Sequence, residues 1–284
     1  MTIGSDRRDF IRGFGALAAI AAAGCRCPFC GGERKRIALQ LWSIHDILWQ
    51  RTEEVFTALR AAGYDGVEFY DFNGMSAKEV RRLLADTGLA GAGVHVNGDV
   101  ALVGDKLKET LDFCVEAGIE SVTTPHASRK TADEYRAFGH QMGLAAETAA
   151  AWGIPVGIHT TYHHFTTKYD GVTAWDVMFS DASPRLQQQV DLGNAFHTGT
   201  DVVALLKKYP NRHFSIHAKE NEPTEDGVFG VPPTDGGKCV PWNDVLGYMA
   251  TEKNQKWWIV EAELKPASLD PAKKCCAILR DWLA

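Results

Sequence analysis

Six of the ten histidines in this 284-residue chain, His45, His95, His126, His159, His164 and His217, stand at or just past the ends of short apolar runs. Asp46, Glu68, Asp191, Glu261 and Glu263 occupy the same kind of position, and Lys219 follows His217 by two residues. Imidazole nitrogens and carboxylate oxygens that converge on one point are what a divalent cation needs, and a mixed nitrogen and oxygen set suits Mn²⁺, Co²⁺, Zn²⁺ or Fe²⁺. One such residue says little, because a histidine at a strand end commonly serves only as a hydrogen-bonded structural group. Four successive runs that each end in a ligand type, His159, then Asp191, then His217, then Glu261, form a pattern.

The elements that would position these residues can be read from periodicity. "VFTALRAAGYDGVEFY", "VRRLLADTGLAGAGVHV", "TLDFCVEAGIESVTTP" and "AAETAAAWGIPVGIH" each pass from helix-spaced apolar residues through a glycine to a short β-rich run. Gly63, Gly88, Gly118 and Gly153 sit where a helix C-terminus calls for a left-handed residue. The β-rich runs are "RIALQLWS", "GVEFY", "GAGVHV", "ESVTTP", "IPVGIH", "QQQVDL", "HFSIHA" and "WWIVEAE". Their starts lie roughly 25 to 45 residues apart, which suits one strand and one helix per unit. The fold class is therefore α/β, a single (β/α)₈ TIM barrel. A doubly wound open sheet would have fewer repeats, and no glycine-rich phosphate fingerprint follows the first strand.

In such a barrel, active sites lie at the C-terminal ends of the strands. That explains why the buried strand of "HFSIHAKENE" finishes in His217, Lys219 and Glu220. Lys219 shares a strand face with His217 and is placed either to stabilise a developing oxyanion or to pair with Glu220 or Glu263. Trp42, Phe69, Tyr70, Tyr162 and Phe165 also fall near strand ends, where they either stack on the apolar face of a ligand or fill the barrel mouth.

Composition fits one large core: 45% of residues are hydrophobic, and a net charge of −6 offers no basic face to nucleic acid. Residues 1–32 read differently. "SDRRDFIRGFGALAAIAAAGC" carries paired Arg7 and Arg8, then Phe10 and Ile11, then an Ala-rich run that is short for a bilayer span and ends in small residues. It resembles a twin-arginine export signal, so the expected boundaries are a signal peptide and linker over 1–32 and the barrel over 33–284. The mature protein would be periplasmic or a membrane-anchored lipoprotein, because Cys25, after Ala22-Ala23-Gly24, either carries a lipid anchor or only follows a cleavage site. Cys27-Pro-Phe-Cys30 has redox or metal-type spacing without a preceding strand and stays unassigned. Cys114 reads as a packing residue, and Cys239, Cys275 and Cys276 show no paired framework.

From about Arg36 to Ala284 the chain resembles the xylose isomerase-like TIM-barrel superfamily, the sugar phosphate isomerase/epimerase family. The stretches that carry the resemblance are "IALQLWSIHD", "AAGYDGVEFYDFNGMSAKEVRRLLADTGL" and "VDLGNAFHTGTDVVALLKKYPNRHFSIHAKE". The resemblance implies a divalent metal, Mn²⁺ first, with Mg²⁺, Co²⁺ or Zn²⁺ as alternatives. By motif it assigns Asp191, His217 and Glu261 as ligands. At the fifth strand, "GIHTTYHHF" departs from a related His-Asn-His-x-x-Glu-Phe segment by keeping only His159 and Phe165, which leaves His159 as the fourth ligand and His164 as its competitor.

The implied activity is metal-dependent isomerisation or epimerisation of a keto-sugar or 3-keto-glycoside through an enediolate. Glu261 and either His164 or Glu68 would move the proton, and Lys219 would stabilise charge. Trp42, His95, His126 and Phe165 would face the small-molecule sugar. No Arg cluster or P-loop lies near the rim, so the substrate is expected to be unphosphorylated. Two other readings stay open: a keto-glycoside lyase or dehydratase on the same metal site, and a noncatalytic periplasmic sugar-binding protein. The oligomeric state is not set by the sequence.

Overall fold

Each of the eight β-rich runs forms a strand. The computed structural model describes residues 35–220, 239–262 and 268–284, so the expected export signal, with Cys25, Cys27 and Cys30, and also Glu263, lie outside the described residues. The strands are β1 (Arg36–Gln40), β2 (Gly66–Phe69), β3 (Ala90–His95), β4 (Val122–Thr124), β5 (Val156–His159), β6 (Gln187–Asp191), β7 (Ser215–Ala218) and β8 (Trp257–Val260). They close in chain order into an all-parallel barrel, with β8 pairing back onto β1. Between short helical turns, one principal helix follows each strand: α1 (Thr52–Ala61), α2 (Ala77–Thr87), α3 (Gly104–Ala117), α4 (Ala132–Ala149), α5 (Ala174–Phe179), α6 (Val202–Lys208), α7 (Trp242–Met249) and α8 (Leu269–Trp282). Among the described residues no helix is long and apolar enough to cross a membrane.

Local chemistry sets the ends of these elements. Ser76 with Glu79 and Thr131 with Glu134 form reciprocal capping boxes that satisfy the first free N–H groups of α2 and α4. Gly63, Gly88, Gly118 and Gly153 all take positive φ, between 69° and 99°, as the helix-to-strand turns require. A small hairpin pairing Lys168–Tyr169 with Val172–Thr173 interrupts the β5 to α5 connection. Its turn, Asp170 and Gly171, has positive φ at both residues.

The core has two parts. A belt between strands and helices holds most of the buried apolar side chains, including Tyr64, Phe69, Phe165, Trp175 and Trp258. Inside the barrel, Ala38, Ala92, Phe214, Trp257 and Ile259 form a smaller plug. Gly66 makes room for that plug, since a Cβ there would stand 2.7 Å from the Trp257 ring. The Arg36 guanidinium stacks 3.9 Å over the same indole and bonds Glu120, closing the end of the barrel where the strands begin. Above the plug the interior turns polar. Register aligns Gln40 with Glu68, His159 with Gln189, Asp191 with His217 and His217 with Ile259. Because side chains alternate along a strand, Gln189 and Asp191, Ser215 and His217, and Ile259 and Glu261 enter the barrel in successive layers.

Candidate metal centre

Strand ends β5 to β8 bring His159, Asp191, His217 and Glu261 together, each buried, with one ligand atom from each inside a sphere of mutual distances no larger than 4.8 Å. His159 Nε2 lies 3.6 Å from Asp191 Oδ2, and His217 Nδ1 lies 2.7 Å from Glu261 Oε2. Lys219 Nζ donates to Glu261 Oε1 at 2.8 Å and stands 3.8 Å from Asp191 Oδ2. The lysine therefore pairs into the cluster, not with Glu220, whose carboxylate accepts from the Val240 N–H and the Trp242 indole N–H.

The chemistry of these atoms fits a cation. Both ring nitrogens of His159 and Oδ2 of Asp191 are buried without a hydrogen-bond partner, a costly state unless something outside the chain engages them. The other Asp191 oxygen is occupied, capping the turn Leu192–His197 by accepting from the Asn194 N–H at 2.8 Å. One carboxylate oxygen thus orients the residue and the other is left over.

The charge state of His159 agrees with that arrangement, whereas His217 has to give up a ring proton before it can bind a cation. Burial, helped by the neighbouring His217 charge, pulls His159 down to about 4, so its imidazole is neutral at pH 7 and keeps a free lone pair. Burial also works against a charged His217, but the Glu68 and Glu261 carboxylates on either side outweigh it and push the ring up to about 10. Burial alone would raise Glu261; Lys219 and His217 instead hold it well below the usual carboxylate range.

A cavity of about 710 Å³ opens above the cluster, with Trp42, Tyr70, His95, His126, Tyr162, Lys219 and Glu261 in its wall. Trp42 and Tyr162 are 45% and 59% exposed, against 8% for Glu261, so aromatic residues form the mouth and the ionisable ones the floor. A separate hollow of about 950 Å³ lies by α6 and α7, bordered by Lys207, Asp244 and Tyr248, and includes none of the four clustered residues.

Several expected site residues lie elsewhere. His164 is fully buried and outside the cavity wall, its Nδ1 accepting from the Thr161 N–H at 3.1 Å and its ring 5.5 Å from Trp175. Residues His163–Thr166 form a helical turn directly after β5, which swings His164 and Phe165 behind the barrel. Phe165 packs 6.0 Å from Trp175, and Phe69 packs between Phe56 and Phe72; neither lines the cavity. Glu68 is fully buried beneath the cluster and also absent from the cavity wall. His45 and Asp46 pair with each other at 2.9 Å, and His45 stacks on Trp42 at 4.3 Å, outside the cluster. Gln40, Gln189 and Arg129 were not singled out from the sequence; the period-two spacing Gln189-x-Asp191 was the available signal for one of them.

Comparison with known proteins gives the following. The family described as "Xylose isomerase-like TIM barrel" matches residues 56–282. A solved sugar phosphate isomerase/epimerase from Parabacteroides distasonis superposes with a TM-score of 0.74 at 17% identity, covering 88% of this chain and 97% of that one, a likeness of fold. The Rhizopine catabolism protein MocC of Rhizobium meliloti is 24% identical over 255 residues, 77% of each chain. Inosose dehydratase 1 of Bacillus cereus is 28% identical over 133 residues, 40% of this chain and 44% of that protein.

Proposed function

The chain belongs to the xylose isomerase-like TIM-barrel family, and from that premise we propose that it is a metal-dependent isomerase or epimerase of an unphosphorylated keto-sugar or 3-keto-glycoside. The observation that carries the reading is the buried group His159, Asp191, His217 and Glu261 with unpartnered atoms on His159 and Asp191. These four residues would hold a divalent cation, Mn²⁺ first. When bound, such a cation supplies Lewis acidity toward a carbonyl and the hydroxyl beside it.

The chain's own residues do the rest. Glu261 lies in the cavity wall with its carboxylate ionised, placed to take a proton from the carbon next to the carbonyl. Lys219, 2.8 Å from Glu261, stands where negative charge develops. The partner that returns the proton has to reach the cavity, which removes His164 and Glu68 and leaves His95 and His126 among the wall histidines outside the cation group. Arg129 is also in the wall but is clamped by both oxygens of Asp99, at 2.7 and 2.8 Å, and Lys219 is engaged by Glu261, which supports a substrate without a phosphate. Trp42 and Tyr162 at the mouth suit the C–H faces of a sugar ring.

A lyase reading is favoured by one observation, the dehydratase among the relatives. The same first proton removal, followed by loss of a β-hydroxyl or glycosyl group protonated from the cavity wall, gives an unsaturated ketone. Turnover of a keto-sugar panel by the Mn²⁺-loaded protein in D₂O separates the readings. An epimerase or isomerase returns a sugar of unchanged composition carrying one deuterium, a lyase an unsaturated product. Tight sugar binding with neither outcome would identify a binding protein.

A further inference from the structure

His217 stands between two carboxylates. Its Nδ1 faces Glu261 Oε2 and its Nε2 faces Glu68 Oε2, each at 2.7 Å. A cation held with Glu261 would displace the Nδ1 proton of His217 and leave the other ring proton on Nε2, which faces Glu68. Glu68 is built to receive it. Its oxygens accept from Gln189 Nε2 at 2.6 Å, Gln40 Nε2 at 2.6 Å and His217 Nε2 at 2.7 Å, and His95 Nε2 stands 3.1 Å from Oε2. Oε2 is crowded by Gln40, His217 and His95 while Oε1 is held by Gln189, and Glu68 does not line the cavity, so it is placed to hold His217 and not to reach a substrate.

The surroundings are shaped for this carboxylate. Gln189 is itself fixed, donating to Ser215 Oγ at 2.8 Å while its Oε1 accepts from His95 at 2.7 Å. Position 93 is glycine, where a Cβ would come 3.0 Å from Glu68 Oε1 and 2.6 Å from Ser121 Oγ. His95 and Glu68 also form, with His217, a second group of ligand-type atoms. In that group, however, the Nε2 atoms of both histidines are already spent on Glu68 and Gln189.

We propose that Glu68 is a positioning residue for the cation centre: it holds the Nε2–H of His217, fixes the tautomer and ring orientation, and so presents Nδ1 to the cation without touching substrate. The proposal rests on the cation reading of His159, Asp191, His217 and Glu261. Partners of this kind typically set ligand basicity and are worth roughly 10- to 100-fold in metal affinity.

The test uses the full chain stripped with chelator. Zn²⁺ is titrated into wild type and Glu68→Gln, which keeps the shape and removes the charge, and the His217 ring nitrogens are followed by ¹⁵N NMR. The expected result is a wild-type His217 with Nδ1 metallated and Nε2 protonated, and a Glu68→Gln affinity about 10- to 100-fold weaker with mixed or shifted ring signals. Wild-type Nε2 metallation overturns the proposal without any variant, as does equal affinity with unchanged ring signals in Glu68→Gln. If wild type binds no Zn²⁺ at His217 at all, the cation reading itself falls and takes this proposal with it.

Discussion

Asp191 does two separable jobs, one per oxygen, and substituting it distinguishes them. Oδ1 caps the turn after β6 through the Asn194 N–H, while Oδ2 is buried without a partner beside His159. Asp191→Ala removes both functions; Asp191→Asn keeps an oxygen for the cap and replaces the anionic ligand with a neutral amide. Without metal, Asp191→Ala should be less stable than wild type by about 1 kcal/mol, the usual worth of an N-cap, and Asp191→Asn should stay within about 0.5 kcal/mol. With Mn²⁺ at about 100 times the wild-type Kd, wild type gains about 2.7 kcal/mol. Loss of a charged ligand should weaken binding by about 100-fold or more, leaving either variant a gain of about 0.4 kcal/mol. The difference corresponds to a Tm gap of roughly 5–9 °C for a barrel of this size. Thermal unfolding by circular dichroism, first in EDTA and then along a Mn²⁺ titration, reads both effects. A full Mn²⁺-induced shift in Asp191→Asn would refute the reasoning, as would equal apo stability of Asp191→Ala and wild type for the cap.

His164→Ala should cost about 1–3 kcal/mol of stability through the buried space it leaves while keeping Mn²⁺ affinity within about threefold of wild type. Isothermal titration of the folded variant checks this, and a lost cation would return His164 to the ligand set. His213 is buried with Nδ1 unpartnered, and burial pulls its pKa below the usual histidine value. The unfolded chain therefore takes up a proton that the folded chain refuses, so stability is full above about pH 6.5 and declines as pH falls from there toward the folded value, by at most about 1.4 kcal/mol per pH unit for this site. Urea midpoints between pH 7.5 and 5.5 should show a slope that flattens in His213→Gln; an unchanged slope contradicts the assignment. Residues 1–32 fused to a reporter should be exported, and Arg7 and Arg8 changed together to Lys should stop it; unimpaired export rules out the twin-arginine route.

The barrel was legible because a parallel strand buried on both faces is written as a short apolar run, and because the glycine after each helix marks the turn back into the sheet. Gly63, Gly88, Gly118 and Gly153 carry that punctuation, and all have the positive φ it demands. The convergence of His159, Asp191, His217 and Glu261 was legible too, since residues at the ends of successive barrel strands must meet. What failed to show was anything decided by a local change of direction or by contact across the barrel. "YHHF" carries no strong helix signal, yet one helical turn there puts His164 and Phe165 behind the wall. Glu68 read as a free acid or base because nothing near it in sequence shows that Gln40, His95, Gln189 and His217, contributed by four other strands, close around it. The hairpin at Asp170-Gly171 was not read from the sequence, although Asp-Gly is a turn dipeptide.

The most direct measurement is the metal content of the purified protein by mass spectrometry of the elements, before and after dialysis against chelator, in wild type, His159→Ala and Asp191→Ala. About one equivalent of a divalent transition metal per chain in wild type, removable by chelator, restored on dialysis against Mn²⁺ and lost in both variants, is the predicted result. A wild-type chain that holds no divalent cation at micromolar concentrations, or variants that hold it as tightly as wild type, would contradict the metal centre.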